Sequence, residues 1–475
     1  MSDNQNQNNS GWKVLAILSC LGLIVMFDET MILPAIPDFV RDFGISYSTS
    51  SWLLSAYIIA AAVMTPIAGR LSDIYGKKKM LLIVMAIYTV GVIAGRFATN
   101  IEFMLFARAL QGVGMAMFPI AFGIIRESLP EKKFATAQTI FSSTFPAGAI
   151  IGLVGGAVII QNFGWQATFL VILPIAIALW IVILKFMHIP GPALPENDHT
   201  PVDKSIDIKG TLLLAVTIVS FLSGITFLES KETGYYVAGL FSISVISLVA
   251  FIIIEKKAHQ PLLDLSLMKS RNFLPPTMIL MLVFLSIFTV YLTVPVMVRS
   301  PTPLGFGGDA LTVANVQLPF MVVFLVTTVI SGFILNRVKN TKLTLLGTII
   351  STIGFFLLVM FHSTETMVAI GLTVLAVGLS LSIAGGFNVI LTSVPMQVTG
   401  IALGMTMLLD LVGMSVGPVF AGIFQDVYRG TVPGVTGEFP TETAYVLIFI
   451  AAALISLTSV ILSIMVSRRK IVQQQ

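Results

Sequence analysis

The chain contains long apolar segments along almost its entire length, separated by short polar connections. We place fourteen of them. They are residues 13–34, 51–69, 80–98, 102–124, 136–160, 166–187, 208–228, 235–254, 274–298, 313–335, 342–361, 366–389, 399–424 and 444–466. A helix of roughly 20 residues spans the hydrocarbon core of a bilayer, which is about 30 Å thick. The sequence therefore predicts an all-α membrane protein with 14 transmembrane helices.

The composition agrees with lipid as the solvent for most of the surface. Hydrophobic residues make up 56% of the chain and charged residues only 11%, with a mean hydropathy of +0.96. A soluble protein carries about 25% charged residues. Most of the 27 lysines and arginines fall at the termini and in alternate loops. Loops rich in lysine and arginine face the cytoplasm, so we expect both termini to be cytoplasmic. The positive net charge therefore reflects the orientation of the chain in the membrane and is not a sign of nucleic-acid binding.

Patterns for catalysis and cofactors do not stand out. The single cysteine, Cys20, lies in an apolar segment and the four histidines are scattered, so neither a disulfide nor a metal site is expected. The phosphate-binding pattern G-x-x-x-x-G-K-[ST] does not occur, which argues against ATP as the energy source. We expect no enzyme activity, no cofactor and no metal. A membrane enzyme or sensor would need a catalytic constellation or a soluble domain.

An internal repeat indicates two related halves. Residues recur in identical form 265 positions apart, and the four pairs are Pro130 with Pro395, Ala137 with Ala402, Gly148 with Gly413, and Gly152 with Gly417. Parallel repeats of this kind are typical of secondary transporters, whereas a channel or receptor does not need them.

The loop after the second segment carries the most specific motif, GRLSDIYGKKK (69–79). It resembles the G-[RK]-L-x-D-x-x-G-[RK]-[RK] loop of the major facilitator superfamily, whose fold consists of two six-helix bundles. The resemblance implies a gating motif, formed here by Gly69, Arg70, Asp73, Gly76, Lys77 and Lys78. Glycines permit tight turns and close helix approach. The corresponding stretch GFILNRVKN (332–340) has Asn336 in place of the acid.

Two further helix motifs extend the resemblance. RALQGVG (108–114) is similar to the R-x-x-Q-G motif of the fourth helix, and an intramembrane arginine is costly enough to suggest a function. GAIIGLVGGA (148–157) and its repeat resemble the antiporter motif G-x-x-x-G-P-x-x-G-G, although Leu153 replaces the proline. Glycines spaced in this way let helix backbones meet. The expected helix-packing residues are Gly148, Gly152, Gly156, Gly413, Gly417 and Pro418.

Two additional segments between the halves, at 208–228 and 235–254, followed by the linker 255–273, resemble the 14-helix drug:proton antiporter family. That family implies a monomer in the plasma membrane that exports lipophilic, cationic compounds by proton antiport. A proton-coupled carrier for one dedicated metabolite or organic anion is the alternative. The expected domain limits are a disordered tail (1–12), a first bundle (13–190), a linker with two helices (191–272), a second bundle (273–467) and a tail (468–475).

The stretch FDET (27–30) places two acids in the first apolar segment, and its D-x-T pattern also resembles this family. At 1.5 Å per residue, Asp28 lies roughly 8 Å, and Arg108 roughly 9 Å, from the same boundary of the core, so the two are expected to pair. We assign Asp28 rather than Glu29 to the cavity, as a proton-coupling and substrate-binding residue. Alternatively, the helix ends early and both acids are hydrated.

A second acid, Asp410, lies near the predicted midplane of the thirteenth segment, where it could bind a cation or a proton. Proton coupling is therefore assigned to Asp28, Arg108 and Asp410. Other polar residues of the segments are expected to line a substrate cavity or to form interhelical hydrogen bonds. They are Gln111, Asn315, Gln317 and Asn388.

Overall fold

A computed structural model describes most of the chain. The described residues are 2–130, 133, 137, 140–141, 143–187, 208–227, 234–258, 266–334, 338–394 and 399–468. The predicted boundary at residue 190 lies outside them. The first helix begins at Ser2, so the segment expected to be a disordered tail is continuous with that helix.

The described residues of the first half form eight α-helices, which make up six membrane-crossing units. They are α1 (Ser2–Met31), α2 (Ile36–Phe43), α3 (Tyr47–Tyr75), α4 (Lys77–Arg96), α5 (Ile101–Gly112), α6 (Met117–Ser128), α7 (Thr144–Phe163) and α8 (Gln166–Phe186). Short 3-10 turns join α1 to α2 at Leu33–Ala35 and α5 to α6 at Val113–Ala116.

Two linker helices and the second half follow. They are α9 (Ile208–Phe227), α10 (Gly234–Glu255), α11 (Leu274–Tyr291), α12 (Thr293–Arg299), α13 (Ala310–Ile334), α14 (Asn340–Met360), α15 (Glu365–Ser393), α16 (Thr399–Val427) and α17 (Glu442–Arg468). Another 3-10 turn spans Leu267–Lys269, and the strands β1 (Arg429–Gly430) and β2 (Phe439–Pro440) form a small antiparallel hairpin between α16 and α17.

Local sequence signals explain where several helices begin and end. The side chain of Asn100 accepts a hydrogen bond from the backbone amide of Phe103 at 2.9 Å and caps α5. Ser46 caps α3 in the same way, as expected for residues that satisfy the free amides of a first turn. Gly44 ends α2 with a φ of +63°, a conformation that favours glycine.

Thirteen helical segments among the described residues are long and apolar enough to cross a bilayer, and a shorter apolar stretch, Lys209–Phe221, lies within α9. The prediction of an all-α membrane protein with two six-helix bundles and two extra helices is confirmed. In both halves the first helix breaks near one end, at Ile32 and at Leu292. The sequence pattern showed single continuous segments at both places.

The two halves pack against each other along α3 with α16 and along α7 with α13. We call the end of the bundle opposite the described chain ends the distal end. There, Arg299 of α12 donates hydrogen bonds to Asp38 of α2 and to the carbonyl oxygen of Pro34, the latter at 2.7 Å. The backbone amide of Tyr47 donates to Asp426 at 2.9 Å. Charged and polar groups of both halves therefore close the distal end.

Candidate functional site

Asp28 and Arg108 form a buried ion pair between α1 and α5. The Asp28 Oδ2 and Arg108 Nη1 atoms are 3.4 Å apart, and both side chains are fully buried. The pairing expected from their membrane depths is present. The pair is not saturated, since Asp28 Oδ1 and Arg108 Nη2 have no hydrogen-bond partner among the described residues. Unpaired buried polar atoms are costly, so this contact is weaker than a closed bidentate pair.

Arg108 has further partners that do not depend on Asp28. Its Nε donates to the carbonyl oxygen of Leu53 at 3.0 Å, and its Nη1 donates to Gln111 Oε1 at 2.6 Å. The guanidinium lies 4.4 Å from the ring centroid of Tyr57, a favourable cation–π arrangement. Three contacts, two from α3 and one from α5, therefore hold the arginine even when its bond to the carboxylate is broken.

Gln111 positions Arg108 and does not face a cavity. Its Oε1 accepts from Arg108 and its Nε2 donates to the carbonyl oxygen of Gly91 at 3.0 Å. In this conformation the amide of Gln111 is used within the first half, and its role in substrate binding stays a prediction. Gly112, the last residue of the motif, lies against the α3 backbone, and an added Cβ would be 2.8 Å from the carbonyl carbon of Tyr57.

The two acids of FDET are both inside the protein. Asp28 is 0% and Glu29 3% exposed, so the alternative of an early helix end with hydrated acids is wrong. Asp28 faces Arg108 inside the first half. Glu29 Oε2 has no hydrogen-bond partner among the described residues. Our choice of Asp28, rather than Glu29, as the acid that faces the cavity stays a prediction.

Asp410 lies inside the second half, on α16. It is 4% exposed, and neither carboxylate oxygen has a hydrogen-bond partner among the described residues. Thr406 and Gly417, which lie on the same helix face by the 3.6-residue period, both contact α11. The site residues therefore form two separate groups, one around Arg108 and one at Asp410.

The second half also contains a very small cavity of about 10 Å³ between α11, α13 and α15, roughly the space of one water molecule. Its lining consists of Ile287, Tyr291, Gln317, Phe320 and Leu372. Gln317 Nε2 donates to the Tyr291 carbonyl oxygen at 3.3 Å, while Gln317 Oε1 has no partner among the described residues.

Asn388 and Asn315, the other two polar residues of the second half that the sequence analysis singled out, are placed differently. Asn388 Nδ2 donates to the Ala384 carbonyl oxygen of its own helix at 2.9 Å, and Asn315 is exposed. Neither is part of the cavity lining. The expectation that Asn388 binds substrate therefore finds no support in the geometry.

The predicted gating motif forms the junction between α3 and α4. Gly76 has a φ of +95°, which only glycine adopts readily. Lys77 pairs with Glu127 at the end of α6 at 2.6 Å, and Lys78 donates to the Leu184 carbonyl oxygen at 3.0 Å. These two lysines tie α4 to α6 and α8.

The remaining members of that motif are less informative. The side chains of Arg70 and Asp73 lie outside the described ones, so their gating role stays a prediction. Gly69 lies within α3, and no atom of the described residues lies within 4 Å of an added Cβ.

The glycines of the repeated motif lie at matching helix contacts. Added Cβ atoms at Gly148, Gly152 and Gly156 of α7 would be 2.7, 2.5 and 2.7 Å from backbone atoms of α1. At Gly413 and Gly417 of α16 they would be 2.5 and 2.7 Å from backbone atoms of α11. Pro418 lies inside α16. The repeat in the sequence thus corresponds to the same contact in each half.

Sequence reasoning missed the tyrosines around the ion pair. Tyr57 and Tyr88 are fully buried, and both lie within electrostatic range of Asp28 and Arg108. In the sequence these tyrosines lie within apolar segments, as many other residues do. Only their position relative to Arg108 in the folded structure distinguishes them. Glu127, the partner of Lys77, was also missed.

Comparisons with known proteins define the class of this chain. The sequence profile of the Major Facilitator Superfamily matches residues 18–418. The chain therefore belongs to this superfamily, and it is a multi-pass membrane protein and a transporter of small molecules rather than an enzyme.

Among curated proteins, the multidrug efflux pump LfrA of Mycolicibacterium smegmatis is 27% identical over 437 residues, covering 91% of this chain and 84% of the relative. Multidrug resistance protein Stp of Mycobacterium tuberculosis is 24% identical, covering 84% and 73%.

A solved structure shares the fold across nearly the whole chain. A bacterial homologue of the human lysosomal transporter Spinster, in an inward-facing and unoccupied conformation, superimposes with a TM-score of 0.68 at 14% identity and covers 97% of both chains. At this identity the likeness shows the fold alone.

Proposed function

We propose that this protein exports lipophilic, cationic drugs or toxic compounds by proton antiport, with alternating access between its two halves. The observation that carries the proposal is the unsaturated Asp28–Arg108 pair buried in the first half. The names of its relatives, a multidrug efflux pump and a multidrug resistance protein, support drug export. We further propose that it acts as a monomer in the plasma membrane with both termini in the cytoplasm.

The geometry suggests how a proton would act. A proton on Asp28 removes the charge that attracts Arg108, and the bonds of the guanidinium to Leu53 and Gln111 hold it in place meanwhile. Asp28 is then free to part from Arg108 when the helices move. Loss of the proton restores the pair. One carboxylate thereby alternates between a paired and an unpaired state, which is what coupling of proton flow to helix movement requires.

The arrangement favours this proposal over a dedicated anion carrier. Two of the three guanidinium nitrogens of Arg108 already donate to protein oxygens, which leaves Nη2 as the nitrogen for a carboxylate ligand. Asp28, Glu29 and Asp410 are buried acids, and buried negative charge favours cations.

Everted membrane vesicles with a pH-sensitive dye test the proposal. We expect proton release when several lipophilic cations are added to wild-type vesicles. Asp28→Asn should abolish this release, because the amide cannot take up a proton, while expression and thermal unfolding stay close to wild type. A response to one organic anion with silence across the cations would favour the dedicated carrier instead.

A further inference from the structure

The ion pair between Asp28 and Arg108 is only half formed. Arg108 Nη1 serves three acceptors, which are Asp28 Oδ2 at 3.4 Å, the Asp28 carbonyl oxygen at 3.5 Å and Gln111 Oε1 at 2.6 Å. Arg108 Nη2 and Asp28 Oδ1 have no hydrogen-bond partner among the described residues. An arginine beside a carboxylate frequently forms two parallel hydrogen bonds with it. Neighbouring groups therefore keep the guanidinium from turning its free nitrogen to the carboxylate.

Tyr57 is placed to restrain the guanidinium in this way. The central carbon of the Arg108 guanidinium lies over the Tyr57 ring, 4.4 Å from the ring centroid, and the face of an aromatic ring attracts a cation. The carbonyl oxygen of Leu53, four residues earlier on α3, accepts from Arg108 Nε at 3.0 Å. The ring limits movement of the guanidinium on one side, while the bonds to Leu53 and Gln111 limit its rotation.

Two contacts fix the position of Tyr57 itself. The Tyr57 hydroxyl donates to the carbonyl oxygen of Val25 on α1 at 3.2 Å, three residues before Asp28. Gly112 of α5 lies against the Tyr57 backbone, where an added Cβ would be 2.8 Å from the carbonyl carbon. Arg108 and Gly112 are four residues apart and therefore share one face of α5. Both helices that carry the ion pair thus contact Tyr57.

We propose that Tyr57 is a positioning residue for proton exchange. Its ring holds Arg108 so that the pair with Asp28 stays half formed and the carboxylate can take up a proton. An arginine bonded to both carboxylate oxygens would hold Asp28 in its ionised form and stop the exchange. This inference rests on the proposed antiport function and adds a residue of α3 to the pair formed by α1 and α5.

Protonation of Asp28 is followed by infrared difference spectroscopy of the full chain in lipid nanodiscs while the pH is lowered. The band of its protonated carboxyl group is identified by its absence from Asp28→Asn. The other ionisable groups in electrostatic range of Asp28 among the described residues are Glu29 on α1, Tyr57 on α3, Tyr88 on α4 and Arg108 on α5. Only position 57 is changed in the variants that probe the ring.

Replacing the ring in steps separates its charge distribution from its packing. Tyr57→Phe keeps the ring face, so the pH of half-protonation of Asp28 should stay close to the wild-type value. The analogue 3,4,5-trifluorophenylalanine at position 57 keeps the ring shape but weakens the negative charge of its face. Arg108 should then close on Asp28, and the pH of half-protonation should fall by about one unit. Tyr57→Leu, which removes the ring, should lower it at least as far.

A control variant separates positioning from a loss of packing. Tyr445→Leu removes another buried tyrosine, on α17 in the second half. It should lower the unfolding temperature, as Tyr57→Leu should, but leave the pH of half-protonation of Asp28 unchanged. Drug transport by proteoliposomes, measured as a function of pH, should shift in the same direction as the infrared band in the fluorinated variant.

Two results would overturn the inference. One is the same pH of half-protonation with phenylalanine and with trifluorophenylalanine, since the face of the ring would then have no effect. The other is a rise of that pH in the fluorinated variant, which would mean that the ring strengthens the pair. Both results leave antiport intact if wild-type proteoliposomes couple drug movement to proton movement. A wild-type protein without that coupling contradicts the proposed function, whereas the infrared titration still decides the role of Tyr57.

Discussion

At the scale of single residues, Arg108 organises the first half. Its guanidinium joins α1, α3 and α5 through Asp28, Leu53 and Gln111, and Gln111 extends this network to Gly91 on α4. The planar fork of an arginine can serve several acceptors in different directions, which the ammonium group of a lysine cannot reproduce. We therefore expect transport and stability to depend on an arginine at this position and not only on a positive charge.

We expect Arg108→Lys to lower the transport rate by at least tenfold and to destabilise the protein by about 1–3 kcal/mol, because buried acceptors lose their donors. Initial transport rates in proteoliposomes and thermal unfolding followed by intrinsic fluorescence measure the two effects. Arg126→Lys, at an exposed position on α6, is the matched control and should behave like wild type. Transport by Arg108→Lys at the wild-type rate would show that charge alone is sufficient.

The residue scale also shows what a sequence can predict. The pairing of Asp28 with Arg108 followed from the constant rise of a helix and the thickness of a bilayer. The burial of Glu29 did not follow, because it depends on how the other helices pack around the end of α1. Gln111 was assigned to a cavity since a polar residue in an apolar segment attracts attention, whereas Tyr57 and Tyr88 did not stand out among apolar neighbours.

At the scale of helices, each half contains a close contact between its first and fifth membrane-crossing units. Gly152 of α7 lies against α1, and Gly417 of α16 lies against α11. In lipid, helix association depends on close packing rather than on the hydrophobic effect. Small residues at these positions are therefore required by the fold of both halves.

Gly417→Ala should destabilise the protein by about 1–3 kcal/mol, the usual cost of overpacking, since an added Cβ would lie 2.7 Å from the Thr289 amide nitrogen. Thermal unfolding in detergent measures the effect. Gly404→Ala on the same helix has no atom within 4 Å of the new methyl group, so it should keep or raise the unfolding temperature because alanine favours helix. Equal destabilisation by both variants would contradict the packing account.

The positions of the helices were mostly predictable from the sequence, and the exceptions have physical reasons. The number and approximate position of the membrane segments follow from hydropathy. The breaks at Ile32, Leu292 and Val113–Ala116 were not predicted, because the residues around them are as apolar as the helices they interrupt. The repeat at Gly148 and Gly413 predicted equivalent contacts without identifying the helices that receive them.

At the scale of the whole molecule, the distal end is closed by contacts between the halves. Arg299 binds Asp38 and Pro34, and Ser55 Oγ donates to the Ser415 carbonyl oxygen at 2.7 Å. A transporter with alternating access must separate these groups in each cycle. The side chains of Arg299 and Asp38 are only 18% and 10% exposed, so water that enters when the distal end opens must replace the contacts that the two charges lose.

A reversible cross-link at the distal end should therefore stop transport. We would introduce Asp38→Cys and Arg299→Cys in a Cys20→Ser background and treat the protein with a short bifunctional methanethiosulfonate. Transport in proteoliposomes should fall close to zero and return after reduction, while the two single-cysteine variants remain active. Unchanged transport at full cross-linking would show that the distal end does not open.

Exchange transport tests whether Asp28 links proton movement to drug movement. Proteoliposomes with wild-type protein or Asp28→Asn are compared in two modes, drug accumulation driven by a pH gradient and exchange of labelled for unlabelled drug without a gradient. We expect Asp28→Asn to lose accumulation but to retain exchange, because its binding site and its halves still function without the proton. Accumulation by Asp28→Asn at the wild-type level would show that Asp28 does not couple the two movements.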